Sequence, residues 1–376
     1  MAGIYLHIPF CKQACHYCDF HFSTSLQAKK DLLSALEKET ELQKNYFAED
    51  VVLQTIYFGG GTPSLLNGNE IKKLLETIRK NFTIDNDAEI TLEANPDDLT
   101  ASELKSLRDA GINRLSIGIQ SFDDAELKWM NRAHTAAQAV DSVKLAQNAG
   151  FDNITIDLIY GTPLLTDEQW KKNLRIAFEL NVQHLSCYAL TIEPRTALAH
   201  LISERKQAGV DEAKQATHFA MLMELAEQNG FEQYEISNFA RDRKYSKHNS
   251  SYWQGEKYLG LGPSAHSFDG MSRQWNVRNN QEYIRQINSG KIPFEIEVLT
   301  MQNKFNEYIM TSLRTMWGCN LEKIKLMFGN DYAELFFKQA IEKLNAGFLI
   351  QQRQNFTLSQ KGKFFADKIA SEFFVV

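Results

Sequence analysis

Long apolar runs are missing from this 376-residue chain. None approaches the roughly 18 residues that a membrane span needs. A basic stripe is missing too. Lys and Arg number 41 against 47 Asp and Glu, for a net charge of −6, with both signs interspersed. That balance argues against nucleic acid as a partner. Cysteine is scarce, with five residues in all, too few for a disulfide framework in a chain this long. The start, MAGIYLHIPFC, lacks the basic opening and long apolar stretch of a signal peptide. It reads as a short strand. Internal repeats and low-complexity segments are also absent. What remains is 43% hydrophobic content, enough for a large core and for two to three domains, or for one barrel with an appendage.

Three of the five cysteines are packed close together. Cys11, Cys15 and Cys18 give the spacing C-x3-C-x2-C. Three thiolates can hold three irons of a cubane iron–sulfur cluster, and with no fourth cysteine nearby one iron stays open for chemistry. Such a cluster is oxygen-sensitive, so a reducing cytoplasm is the expected setting. Zinc is the alternative, with His7, His16 or His21 as fourth ligand, although zinc sites favour C-x2-C pairs. Cys187 and Cys319 have no such company and read as ordinary, partly buried thiols.

Short β-rich runs alternate with helical ones. Strands are expected at 4–8, 52–58, 89–93, 115–119, 154–159 and 184–190. Between them, Leu32, Leu33 and Leu36, then Ile71, Leu74, Leu75 and Ile78, recur at helical spacing. Thr100 with Glu103, and Thr166 with Gln169, form capping boxes, and Gly111 and Gly150 mark helix ends. Six β-then-α units imply parallel strands joined by right-handed crossovers. The strands lack strict alternation, as expected when both faces are buried. The predicted fold is α/β, a partial (β/α)6 barrel over 1–235. A polar, aromatic, Gly-rich connecting region follows at 236–300. Helices at 304–316, 321–327 and 332–345 and a hairpin at 348–358 suggest a small winged-helix-like α+β domain over 301–376.

In such barrels chemistry gathers at the C-terminal ends of strands. Those ends carry the cysteines, then Gly59-Gly60-Gly61-Thr62-Pro63, Glu93, Gln120, Asp157 and the 187–191 region. Packing does not call for polar groups at every one of these positions. A glycine triplet after a strand lets backbone N–H groups come close to a ligand.

The segment FCKQACHYCDF resembles the cluster loop of the radical S-adenosylmethionine (radical SAM) superfamily. The resemblance implies a [4Fe–4S] cluster on Cys11, Cys15 and Cys18, with S-adenosylmethionine chelating the open iron. An electron from the cluster then cleaves the sulfonium bond to give a 5′-deoxyadenosyl radical. IYLHIPFC, YFGGGTPS, TLEANPDD, SIGIQSF, NRAHT and IDLIYGTP resemble one family over nearly the whole chain. It joins the oxygen-independent coproporphyrinogen III oxidase to a heme-chaperone relative. By that resemblance Tyr5 lies beside the cofactor and cluster. Gly60, Gly61 and Thr62 line the methionyl end. Glu93, Gln120, Arg132 and Asp157 bind the polar groups of S-adenosylmethionine.

Two departures separate the branches. Phe20 stands where the oxidase has a further cysteine, and the cluster loop begins at residue 11, leaving no room for the oxidase's N-terminal extension. His248, Asn249, Tyr252 and Trp253 match the HNxxYW motif of the heme-chaperone branch. An imidazole is a usual axial ligand to heme iron, and the two aromatics can face a macrocycle. His266, in GPSAHSF, is a second histidine nearby, read as structural or capping. Which histidine meets the iron is left open by the sequence. The expected function is heme binding and delivery to a heme-requiring, respiratory protein, supported by the cluster and S-adenosylmethionine. The cluster organises a homodimer or gates heme transfer on this reading. Partners are then heme, the recipient, an electron donor and, for a membrane-bound recipient, a peripheral membrane contact. The alternatives are radical decarboxylation of coproporphyrinogen propionates and a structural zinc protein.

Overall fold

The computed structural model describes residues 2–375. Six strands run in parallel and in sequence order: β1 (Ala2–Ile8), β2 (Val52–Gly60), β3 (Thr83–Ala94), β4 (Arg114–Gln120), β5 (Ile154–Tyr160) and β6 (His184–Ala189). Helices cover the outer face, and β1 and β5 are buried almost end to end. This explains why they lack polar–apolar alternation, because a parallel strand between two packed layers has no solvent face to make polar. The partial (β/α)6 barrel is therefore present.

The helices follow from their patterns. Gly68–Asn81 is capped by Asn67 with a reciprocal Glu70 bond, and its buried stripe is Ile71, Leu74, Leu75 and Ile78. Thr166 and Gln169 form the expected capping box. Thr100 accepts from the Glu103 amide, but no return bond from the Glu103 side chain completes the box. Gly111 ends its helix at φ 110°, a conformation that favours glycine.

Strand β3 is longer than the apolar pattern predicts. It starts at Thr83, six residues before the predicted 89. The polar stretch pairs with β2 through Val52–Thr83 and Leu53–Ile84, then bulges before Thr55–Glu89. Asp85 turns the bulge by accepting from the Asp87 amide at 2.8 Å. This end is partly exposed, so no apolar run marks it.

Residues beyond the six units extend the same sheet. On one side β9 (Lys257–Leu261) pairs parallel to β1, and β10 (His266–Phe268), β11 (Ser272–Asn276) and β12 (Phe294–Val298) follow antiparallel. On the other, β7 (Glu232–Glu235) and β8 (Asn238–Ala240) close against β6. The connecting region thus supplies one flank of a twelve-stranded sheet and, with β7 just before it, the other. The C-terminal part has its own core, including Phe305, Phe336, Phe356 and Phe373. Its helices pack on a small antiparallel sheet of β13 (Cys319–Asn320), β14 (Leu349–Gln352) and β15 (Asn355–Leu358). Cys187 and Cys319 are fully buried, not partly, one in each core.

Candidate functional site

The loop after β1 carries the cysteines, and it is held at both ends and in the middle. Cys11 N donates to Ser23 O, and Ser23 N to Pro9 O, which closes the loop base. His16 N donates to Met130 O. Gln13 bonds the main chain and side chain of Asn131, whose amide returns a bond to Ala14 O. Lys12 pairs with Asp97 and Asp98. The three thiols therefore reach one cleft of about 610 Å³ from a fixed frame.

Around them stand Gly60, Gly61, Thr62, Glu93, Gln120, Arg132 and Asp157. Gly60, Gly61, Thr62, Glu93 and Gln120 come from the C-terminal ends of strands or the turns after them, Asp157 from the middle of β5, and Arg132 from the loop between the helices Asp124–Trp129 and Ala136–Asn148. Thr62 donates to Cys11 Sγ at 3.4 Å, and Arg132 to Cys15 Sγ at 3.4 Å. Burial pushes the Cys11 thiol up and the Cys18 thiol up to about 11. The bare Cys11 and Cys18 thiols hold their protons, and metal binding would release them.

Glu93 accepts from the Tyr57 hydroxyl at 2.8 Å and from the Gly60 amide at 3.1 Å. Burial raises it to about 7, with Asp157 adding to the rise. Asp157 is raised to about 6, again mainly by burial. Gln120 sits at φ 67° where β4 ends, a strained conformation for a side chain that large. Arg132 is fixed on Asn95 Oδ1 and Gly118 O at 2.7 and 2.6 Å, yet its Nε is buried with no partner among the described residues. The glycine loop is shaped by β1. A Cβ on Gly61 would lie 2.6 Å from Phe10 O, and one on Gly60, at φ 108°, would run into the His7 ring.

These residues fit the implied group. Three thiols, two carboxylates poised near neutrality, and a guanidinium with a spare donor suit an iron–sulfur cluster and a zwitterionic chelator. The histidines named for zinc do not line the cysteine cleft, and each has at least one ring nitrogen engaged. His16 pairs with Trp129 O, His7 with Tyr5 and His21 O, and His21 with Asn280. Tyr5 does not line this cleft. It stacks on Tyr57 and faces the two neighbouring clefts.

The helix Lys247–Trp253 carries the HNxxYW residues and is capped by Ser246. It straddles those two clefts. His248 is 1% exposed. Its Nδ1 pairs with the Thr55 hydroxyl at 2.7 Å and its Nε2 with the Tyr252 hydroxyl at 2.8 Å. Burial drives its pKa down to about 3. Asn249 reaches the Tyr234 hydroxyl. Tyr252 and Trp253 line a large cleft of about 980 Å³ between the sheet edge and the C-terminal domain. Phe20, 71% exposed, lies where that cleft, the cluster cleft and the small one meet.

Sequence reasoning did not single out Asn95 or Ser116. Asn95 joins Arg132 to Thr62, and Ser116 lies 3.4 Å from both Asp157 oxygens. Asn95 was within reach, since it stands in TLEANPDD at the end of a strand. Ser116 points inward from mid-strand, and only the register reveals that.

Residues 5–177 match the radical SAM superfamily, and residues 299–365 the HemN C-terminal domain. The solved structure of coproporphyrinogen III oxidase (HemN) from Escherichia coli, a radical SAM enzyme, superposes with a TM-score of 0.85 at 25% identity, covering 100% of this chain and 90% of that one. Fold and cysteine site together define a radical SAM protein, a class that implies a [4Fe–4S] cluster and S-adenosylmethionine. The heme chaperone HemW of Bacillus subtilis is 33% identical over 99% of both chains. That of Lactococcus lactis is 35% identical over 95% of this chain and 93% of its own. The chain belongs to the heme chaperone HemW family.

Proposed function

We propose that this protein binds heme and hands it to a heme-requiring, respiratory protein, with a [4Fe–4S] cluster and S-adenosylmethionine supporting the task. The observation that carries this reading is the adjacency of two unlike clefts. One gathers thiols, carboxylates and an arginine. The other is wide and aromatic, with cations and carboxylates both in its lining, and Phe20 stands where they join. Cys11, Cys15 and Cys18 would hold the cluster. Arg132 would take a carboxylate, and Glu93 and Asp157 would accept from hydroxyls and a cationic amine, with Gln120 beside them. When bound, the cluster supplies an electron to the sulfonium. The chain's own part is to orient the ligand and to hold these carboxylates near neutrality.

Oxidation of coproporphyrinogen is the second reading, favoured by the likeness to the oxidase fold over the whole chain. Anaerobically reconstituted protein separates the two when titrated with heme and assayed for coproporphyrinogen turnover. Stoichiometric heme uptake and transfer to an apo-hemoprotein without turnover is the expected result. Formation of protoporphyrinogen would overturn the chaperone reading.

A further inference from the structure

We infer that the large cleft takes an iron porphyrin with His266 as ligand to the iron, the ring lying against Tyr258 and Phe268 and the carboxylates reaching Arg273 and Lys323. The inference rests on the heme-handling reading and assigns its site.

The sheet register builds one wall. In β10 the middle residue, Ser267, turns inward and accepts from the Gly260 amide at 2.9 Å. Its neighbours His266 and Phe268 therefore share the other face, roughly 6.6 Å apart along the strand. Phe268 pairs with Tyr258 on β9 and with Arg273 on β11, which sets an aromatic–aromatic–cation row across three strands. The Arg273 guanidinium lies 5.7 Å from the Phe268 ring and 3.0 Å from Glu307, while its Nε is buried with no partner among the described residues. The C-terminal domain forms the facing wall, where the Lys323 ammonium stands 5.2 Å from the Tyr308 ring. Trp253, also with a buried, unpartnered indole N–H, adds a third side.

A flat apolar body with acidic arms is what aromatic walls edged by cations recognise. The cleft, about 980 Å³, is at the upper end of ordinary ligand sites, about 300–1,000 Å³.

The choice of ligand follows from which imidazole is free. His248 has both ring nitrogens engaged, as has His7. His21 has one engaged. His266 is exposed to the cleft, and neither ring nitrogen has a hydrogen-bond partner among the described residues. A metal can take it without breaking anything. His248 is then a positioning residue: its ring ties the HNxxYW helix to Thr55 on β2, beside the bond from its backbone amide to Glu89 on β3, and so sets Trp253 at the cleft.

The test is a titration of the full, reconstituted chain with hemin and with metal-free protoporphyrin IX, read by the Soret band and electron paramagnetic resonance. His266→Ala is expected to shift the Soret band and to lose about tenfold in hemin affinity relative to its affinity for the metal-free ring. Lys323→Glu, at an exposed position, is expected to weaken both. His248→Ala, checked as folded by circular dichroism, keeps the wild-type Soret position. One heme per chain with an unchanged spectrum and affinity in His266→Ala would overturn the inference and leave the chaperone reading standing. No heme uptake by the wild-type chain would overturn that reading first.

Discussion

Glu39 is a carboxylate with no role in either cleft. It is fully buried and accepts from the Tyr283 hydroxyl, the Gly262 amide and the Asn276 amide at 2.6, 2.7 and 2.6 Å. It thereby joins the helix Lys29–Leu42 to the β9–β11 flank. Burial raises it from 4.5 to about 7 against those three bonds. The folded chain thus binds this proton more tightly than the unfolded chain does. Between those two values stability falls as pH rises, and above about 7 the loss is complete, about 3 kcal/mol for such a shift. Glu93 and Asp157 titrate in the same window with the same sign, so the informative quantity is a difference. Thermal unfolding from pH 5 to 8 should show a flatter decline for Glu39→Gln than for wild type. Equal slopes would show that Glu39 is ionised with little strain.

Elements in this protein are positioned by close backbone approach as much as by side-chain packing. The turn after β2 passes so near the cluster loop that Gly61 N bonds Ile8 O at 2.9 Å. Gly61→Ala would push Phe10 and the loop base outward, at about 1–3 kcal/mol for an overpacked site. Reconstituted Gly61→Ala should hold less iron and sulfide per chain than wild type while its far-ultraviolet circular dichroism is unchanged. Gly209→Ala, where an added Cβ meets nothing within 4 Å, is the control. Wild-type iron content in Gly61→Ala would mean that the loop has slack. The cysteine loop and the strand-end residues were legible in the sequence because spacing and continuous apolar runs are local signals. The start of β3 was not, since polar residues there pair at an exposed end. The partners of His248 were not either. The motif names the histidine, but Thr55, which occupies it, lies 193 residues away.

At the scale of the molecule, two cores meet along one seam, and the large cleft opens beside it. Arg314 is one of the cross-links. It pairs with Glu235 at 3.3 Å and with Asp367, and its guanidinium stacks 5.3 Å from the Trp253 ring. The main chain adds Ile236 N to Arg314 O and Met316 N to Tyr234 O. Glu235 is nearly inaccessible, and burial raises its pKa with Arg314 opposing. Arg314→Ala would leave that carboxylate buried without its cation, a change of about 3–5 kcal/mol in comparable sites, and would free one face of Trp253. A melting point several degrees lower and weaker hemin binding are expected together. Adding Glu235→Gln removes the stranded charge but not the lost stacking, so the double variant should recover most of the stability and little of the hemin affinity. If the two recover in step, the seam acts on heme only through global stability. If hemin affinity never falls, the C-terminal domain does not form a wall of the heme site.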